Sequence, residues 1–238
     1  MPHETFVFKQ FTIHQDKCHM KVGTDAVLLG AWIKPQNEKR ILDIGTGTGI
    51  LAIMLAQKST AHIDAIEIDQ GAYEQATQNA DFSKWRNRIK IYHESLQQFT
   101  STHKEKYDLI VSNPPYFVDS SKPPKEGRVA ARHNDFLSFE DLIDGVVKTL
   151  SPTGKFFVIL PNKEAISLTD LAEKRGLKLS RLLRVRTKHD KATEKRHIMQ
   201  FEFSPTSFNE ETIVIEKEGR HEYTDEYKEL TREYYIHF

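Results

Sequence analysis

The spacing of hydrophobic positions changes period repeatedly along the chain, and the changes divide it into strand-like and helix-like stretches. Phe6, Phe8, Phe11 and Ile13 form a short apolar-alternating start that predicts a hairpin. Beyond it, Lys39–Ile44, His62–Ile68, Arg88–His93 and Tyr107–Ser112 read as strands. Helical stretches at Thr48–Lys58 and about Gln70–Phe82 separate the first three. A helix from about Ser138 to Leu150 leads through Ser151-Pro-Thr-Gly154 into the apolar run Phe156–Leu160, and a further helix covers Lys163–Arg175. Two alternating stretches, about Leu177–Arg186 and Lys195–Phe203, follow with no helix between them. Alternating β and α units predict an α/β fold, a mostly parallel sheet of seven strands covered on both faces. The last two strands predict an antiparallel hairpin at its edge. Residues 117–135 read as a long irregular loop rich in Lys, Pro and Arg, a length usual for functional or disordered loops.

The pattern accounts for one domain over residues 1–238, with a hairpin and first helix (1–34), a core (35–204) and an acidic extension (205–238). Hydrophobic residues at 38% and charged residues at 29% are ordinary for a soluble protein with a real core. No basic stretch followed by an apolar run opens the chain, and no stretch approaches the roughly twenty apolar residues of a membrane span. With Cys18 alone, an internal disulfide is impossible, so a reducing compartment, the cytoplasm, is expected. The eleven histidines are scattered without ligand spacing, so no metal is expected. Monomer is the default assembly.

Charge changes the picture more than composition does. The 34 basic and 34 acidic residues cancel, but residues 174–197 hold ten bases against Asp190 and Glu194, a local balance of +8. From Glu210 to Glu233 nine acids face four bases, a balance of −5. Such separation is what a polyanion-facing surface needs, although a solvated basic face has the same composition.

Candidate chemistry begins at Ile41-Leu-Asp-Ile-Gly-Thr-Gly-Thr-Gly49, where the first long strand turns into a helix. Glycines here allow a tight turn and let a ligand approach the backbone amides of Gly45, Thr46, Gly47 and Gly49. The G-x-G-x-G spacing departs from the G-x-G-x-x-G of dinucleotide folds, which argues against a nicotinamide oxidoreductase. Asp43 ahead of the loop can hold a cationic amino group or orient the loop amides. At the end of the second strand, Glu67 stands 22 residues past Gly45, near the offset at which a carboxylate accepts from a ribose diol. Ile68 is placed to pack on an adenine face. Glu94 and Ser95, ending the third strand, are candidates for the adenine amino edge, with an exposed surface Glu as the alternative.

The fourth strand ends in Asn113-Pro114-Pro115-Tyr116. An exocyclic or amide nitrogen is a poor nucleophile because its lone pair is delocalised. Two acceptors on its N–H bonds favour the pyramidal form and aim the lone pair at an incoming methyl. The Asn113 side-chain oxygen and the Pro114 carbonyl supply two such acceptors, and the prolines pre-organise both. Tyr116 offers a ring on which a planar group can stack. No G-x-S-x-G elbow occurs, so nothing supports a serine hydrolase.

Together these motifs resemble the class I, Rossmann-like methyltransferases with an N-P-P-Y tetrad, which include adenine-N6, cytosine-N4 and release-factor glutamine-N5 enzymes. The chain is more specifically similar to the bacterial tRNA(Val) adenine-N6 methyltransferase family. That likeness rests on Met20-Lys-Val-Gly-Thr-Asp-Ala-Val-Leu-Leu-Gly-Ala-Trp32, on Arg128-Val-Ala-Ala-Arg-His133 and on Lys195-Arg-His197, and runs from about Phe6 to Phe203. It implies S-adenosylmethionine as cofactor and tRNA as partner, with Thr24 and Asp25 near the cofactor's methionine end. From the residues alone, Thr24-Asp25 reads only as a helix N-cap. An RNA substrate gives the cations a purpose: Lys122, Lys125, Arg128 and Arg132 after the tetrad, and Arg184, Arg186, Lys188, Lys191, Lys195 and Arg196 as a second surface. The rival activity is glutamine-N5 methylation of a release factor, for which a basic surface has less use. A non-catalytic RNA-binding protein on a decayed scaffold conflicts with the intact glycines, Glu67 and tetrad.

Overall fold

The computed structural model describes residues 4–115, 137–188 and 194–237. In chain order the elements are β1 (Thr5–Val7), β2 (Thr12–His14), α1 (Thr24–Trp32), β3 (Arg40–Ile44), α2 (Ile50–Lys58), β4 (His62–Glu67), α3 (Gln70–Phe82), β5 (Ile89–His93), α4 (Leu96–Thr102) and β6 (Tyr107–Ser112). They continue with α5 (Phe139–Thr149), β7 (Leu150–Pro161), α6 (Asn162–Lys174), β8 (Lys178–Lys188), β9 (Glu194–Glu202), β10 (Asn209–Glu216) and α7 (Asp225–Thr231). β1 and β2 form the expected hairpin. The main sheet has the order β10-β8-β9-β7-β6-β3-β4-β5. All its pairings are parallel except those of β9, which runs antiparallel to both β7 and β8.

The sheet is buried on both faces, which is why β6 and β7 carry the apolar runs Leu109–Val111 and Phe156–Leu160. Phe156, Val158 and Leu160 of β7 enter one cluster with α5 and α6, whereas Phe157 and Ile159 enter the other. That second cluster joins α1 and α2 to Phe8, Phe11 and Ile13 of the hairpin region and to Tyr227 and Tyr234 of the chain's last segment.

The seven expected strands are present, and an eighth corrects the count. The 205–238 segment supplies β10, parallel to β8 along the sheet's outer edge, and α7, which packs on α1. Its signal was the β-branched run Thr212-Ile-Val-Ile215, hidden among glutamates. Elsewhere boundaries move for local reasons. Helix α2 starts at Ile50, not Thr48, because its cap Gly49 takes a left-handed φ of 81°. Residues 151–154 are an excursion within β7, whose register on β6 jumps from Tyr107↔Leu150 to Leu109↔Lys155. Helix α4 was missed; its cap is Ser95, in a reciprocal box with Gln98.

Candidate active site

Three neighbouring strands, β6, β3 and β4, end together at the point where the chain order reverses, the crevice in which open α/β sheets bind ligands. Ile44 pairs with Ser112 on one side and Ile66 on the other. The Ser112 hydroxyl, fully buried, donates to the Ile44 carbonyl at 2.9 Å, so the segment leading into Asn113 is tied to the residue before the glycine loop. Across the other pairing, the amides of Gly45 and Thr46 both donate to the Ile66 carbonyl at 3.0 Å.

The loop itself needs its glycines. Gly45, Gly47 and Gly49 have φ of 70°, 58° and 81°, a region that costs other L-residues roughly 1–2 kcal/mol. At Gly45 and Gly47 a Cβ would point into open space, whereas at Gly49 it would come within 3.3 Å of Ala76 Cα. The first two glycines therefore keep an approach clear for a ligand, and the third lets α3 pack against the loop. Glu67 is half-buried and accepts three backbone amides: Gly47 at 2.8 Å, Ile68 at 2.9 Å and Asp69 at 3.0 Å. One carboxylate thus joins the glycine loop to the β4–α3 turn. Ile68 beside it is 45% exposed, an uncovered apolar side chain at the crevice. Asp43 is fully buried, accepts the Thr46 hydroxyl at 2.5 Å, and is pushed up to about 7 by burial, against the pull of the Thr46 and Ala52 hydrogen bonds. Of its two predicted uses, this position favours orienting the loop.

Other expectations are corrected. Thr24 and Asp25 are not the N-cap of α1; Gly23 is, without a side-chain cap. Asp25 instead accepts Arg196 Nε at 2.7 Å, joining α1 to β9. The Ser95 side chain caps its own helix, and Glu94 is half-buried with its Oε2 4.0 Å from His103 Nδ1. Asn113 is half-buried and Pro114 buried; Tyr116, Lys122, Lys125, Arg128, Arg132 and Lys191 lie outside the described residues.

The +8 stretch is not a bare positive field. Glu194 Oε2 accepts Arg184 Nη1 at 2.7 Å and lies 2.7 Å from His197 Nε2, while its Oε1 is 3.6 Å from Arg186 Nη2. Glu210 of β10 takes Arg184 Nε at 2.5 Å, and Lys188 Nζ donates to the Glu218 carbonyl at 2.6 Å. Lys195 stays exposed. The acidic extension and the basic hairpin are thus partly each other's counter-ions.

Two positioning residues escaped the sequence reading. Asn79 Nδ2 donates to the carbonyls of Thr48 and His14 at 2.9 and 2.8 Å, and its Oδ1 accepts the His14 amide at 2.9 Å. Gln75 Oε1 accepts the Lys17 amide at 2.9 Å. Both are buried and four residues apart on α3, among Ala72, Ala76 and Ala80. Two amides on an otherwise small-residue helical face were the available signal.

The chain has relatives among known proteins. The methyltransferase small domain family matches residues 17–173. The chain belongs to that family. A relative from Bacteroides fragilis, named tRNA1(Val) (adenine(37)-N6)-methyltransferase, is 49% identical over 232 residues, 97% of each chain. Among solved structures, this methyltransferase fold is similar to a predicted O-methyltransferase from Agrobacterium tumefaciens (TM-score 0.69, 16% identity, 88% of this chain and 96% of that one). It is also similar to a protein from M. jannaschii solved in complex with AdoMet (TM-score 0.55, 18% identity, 85% and 88% covered). Among the described residues no group of three His, Cys, Asp or Glu is placed to hold a metal, and no helix is long and apolar enough to cross a membrane.

Proposed function

We propose that this methyltransferase transfers a methyl group from S-adenosylmethionine to the exocyclic N6 of an adenine in tRNA, adenine 37 of tRNA1(Val) being the specific target. The observation that carries the reading is the junction of β6 with β3: Asn113 emerges one residue beyond a strand end hydrogen-bonded to the lip of an open glycine cradle. The relative from B. fragilis, at nearly full length, supports the substrate.

The residues present fit the cofactor. Gly45 and Gly47 leave open the space a Cβ would fill, Glu67 retains acceptor capacity beyond its three amides, and Ile68 presents an apolar face. When bound, S-adenosylmethionine supplies an electrophilic methyl on a sulfonium. Glu67 Oε2, which takes only the Gly47 amide, would accept a ribose hydroxyl, and Ile68 would cover the cofactor's adenine. The amides of Gly45, Thr46, Gly47 and Gly49 already donate within the protein, so the loop's part would be the space it leaves open at Gly45 and Gly47. The Asn113 side-chain oxygen and the Pro114 carbonyl would take the two N–H bonds of the target amino group and direct its lone pair. Charge develops on that nitrogen as the methyl arrives, so these acceptors gain strength in the transition state, which is where binding accelerates a reaction. From its place in the tetrad, Tyr116 is the stacking ring for the target base. A tRNA substrate supports a cytoplasmic site of action.

Nucleoside mass spectrometry of tRNA incubated with protein and S-adenosylmethionine tests this. Growth of N6-methyladenosine with loss of one adenosine is expected. Unmodified tRNA beside a methylated glutamine in a release factor would overturn it.

A further inference from the structure

We infer that a second cleft, built by the C-terminal extension, binds another unpaired nucleotide of the same RNA strand that delivers the target base; the inference rests on the RNA reading above. The cleft measures about 840 Å³ and opens between the N-terminal hairpin, the first turn of α1, the ends of β8 and β10, and the chain's last residues. Its position follows from strand direction. β8 is antiparallel to β9, which is antiparallel to β7, so β8 ends at the same edge of the sheet as β6 and its Asn113. Val185 and Thr187 of β8 line the cleft, and Arg196 of β9 lies opposite Pro161, the last residue of β7. β6 and β8 are three strand intervals apart, about 14 Å, a distance a short single-stranded segment spans.

The lining has the chemistry of a base-and-phosphate site. Phe6, Tyr223 and Tyr235 are half-buried aromatic walls, and Val7 and Ile236, 52% and 49% exposed, add apolar rim. Lys195 and Arg220 are exposed cations, and His221 and His237 stand beside them. Of the two lining acids, Asp25 pairs with Arg196 and Glu216 accepts the His221 amide at 2.9 Å; Lys195, Arg196 and Arg220 against these two acids leave the lining one positive charge in excess, the sign a phosphate needs. Aromatic rings beside cations bind unpaired nucleotides with little sequence preference, because every base has a π face. Thr24 and Asp25 wall the cleft. The chain just ahead of them is pinned to α3, the helix that follows Glu67, through Lys17 and Gln75. The target base and its neighbour would thus share one scaffold. This gives the extension a role: it neutralises the arginines of β8 and adds a nucleotide subsite beyond them.

The test measures steady-state methylation of full-length tRNA by the whole chain and by Tyr223→Ala, Tyr223→Phe and Arg220→Glu, beside cofactor affinity and melting temperature. Arg220 is exposed, so Arg220→Glu probes the cleft even where Tyr223→Ala disturbs its packing on Tyr227. Tyr223→Ala and Arg220→Glu are expected to raise KM for tRNA about 5- to 100-fold with cofactor affinity unchanged, and Tyr223→Phe to stay near wild type. A tRNA carrying 4-thiouridine beside the target should crosslink to residues 220–227 or 234–237. If the wild type methylates tRNA, yet Arg220→Glu keeps its KM and no crosslink reaches those residues, the cleft is not a nucleotide subsite. A wild-type protein that methylates a release factor and no RNA would overturn both readings at once.

Discussion

The crevice around β3, β4 and β6 and the outer edge formed by β8, β9 and β10 solve opposite problems. In the crevice a short stretch of chain makes its own geometry. Glycines at positive φ turn the loop, and Glu67 gathers three amides that lie within a few residues of itself or of Gly45. At the edge, apart from the local partners of Glu194, the ion pairs join separate segments: Arg184 with Glu210, Arg181 with Glu211, Arg196 with Asp25. The crevice leaves open space at Gly45 and Gly47 and an uncovered Ile68 beside them; the edge mostly satisfies its charges internally. A run of like charge is therefore a poor guide to a free surface until its counter-ions have been located.

Four substitutions bear on this contrast. Asn113→Ala removes an acceptor whose gain falls in the transition state, so kcat should fall roughly 10²- to 10³-fold while cofactor affinity holds. Single-turnover methyl transfer beside calorimetric cofactor titration reads both; transfer at the wild-type rate would remove Asn113 from the chemistry. Glu67→Ala should weaken cofactor binding by about 2–3 kcal/mol, the scale of lost charge-assisted bonds, in a protein that still folds. Unchanged affinity would reduce Glu67 to a loop brace.

At the edge the effects should appear in stability instead. Glu194 is 14% exposed and serves Arg184, Arg186 and His197, so Glu194→Gln should cost about 1–3 kcal/mol at pH 7. Burial opposes ionisation of Glu194, but the hydrogen bonds from His197 and Arg184 outweigh it and hold the carboxyl below its ordinary 4.5. A depressed carboxylate stabilises the fold fully above its unfolded value and loses that contribution as pH falls through the folded one. Urea unfolding of wild type and variant should therefore differ at pH 7 and converge below pH 4.5; a gap constant across that range would assign the loss to packing. Smallest of all, Glu211→Ala removes an ion pair to Arg181 at 3.4 Å whose partners are 46% and 30% exposed. Its cost should stay within about 0.5 kcal/mol by the same titration, and a larger loss would mean β10 depends on its acids to dock.

The order of the elements through β9, apart from α4, and the motifs of the glycine loop, Glu67 and the tetrad were legible in the amino-acid sequence because each depends on neighbours close along the chain. Periodicity follows from one face being buried, and a left-handed turn needs glycine wherever it occurs. What the side chains of Asp25, Glu94 and Ser95 do was not legible, because their partners are set by helix caps and strand packing. The sequence by itself determined the fold class and the glycine loop at the head of the crevice. Tertiary structure alone decided that the acidic extension is an eighth strand and a helix, that from α3 Asn79 braces the glycine loop and Gln75 the segment ahead of α1, and which arginines remain for a partner. Those outcomes rest on contacts between segments 171 residues apart, as in the pair of Asp25 with Arg196, or further, as in Lys9 with Arg232, and no local pattern encodes which charges will meet.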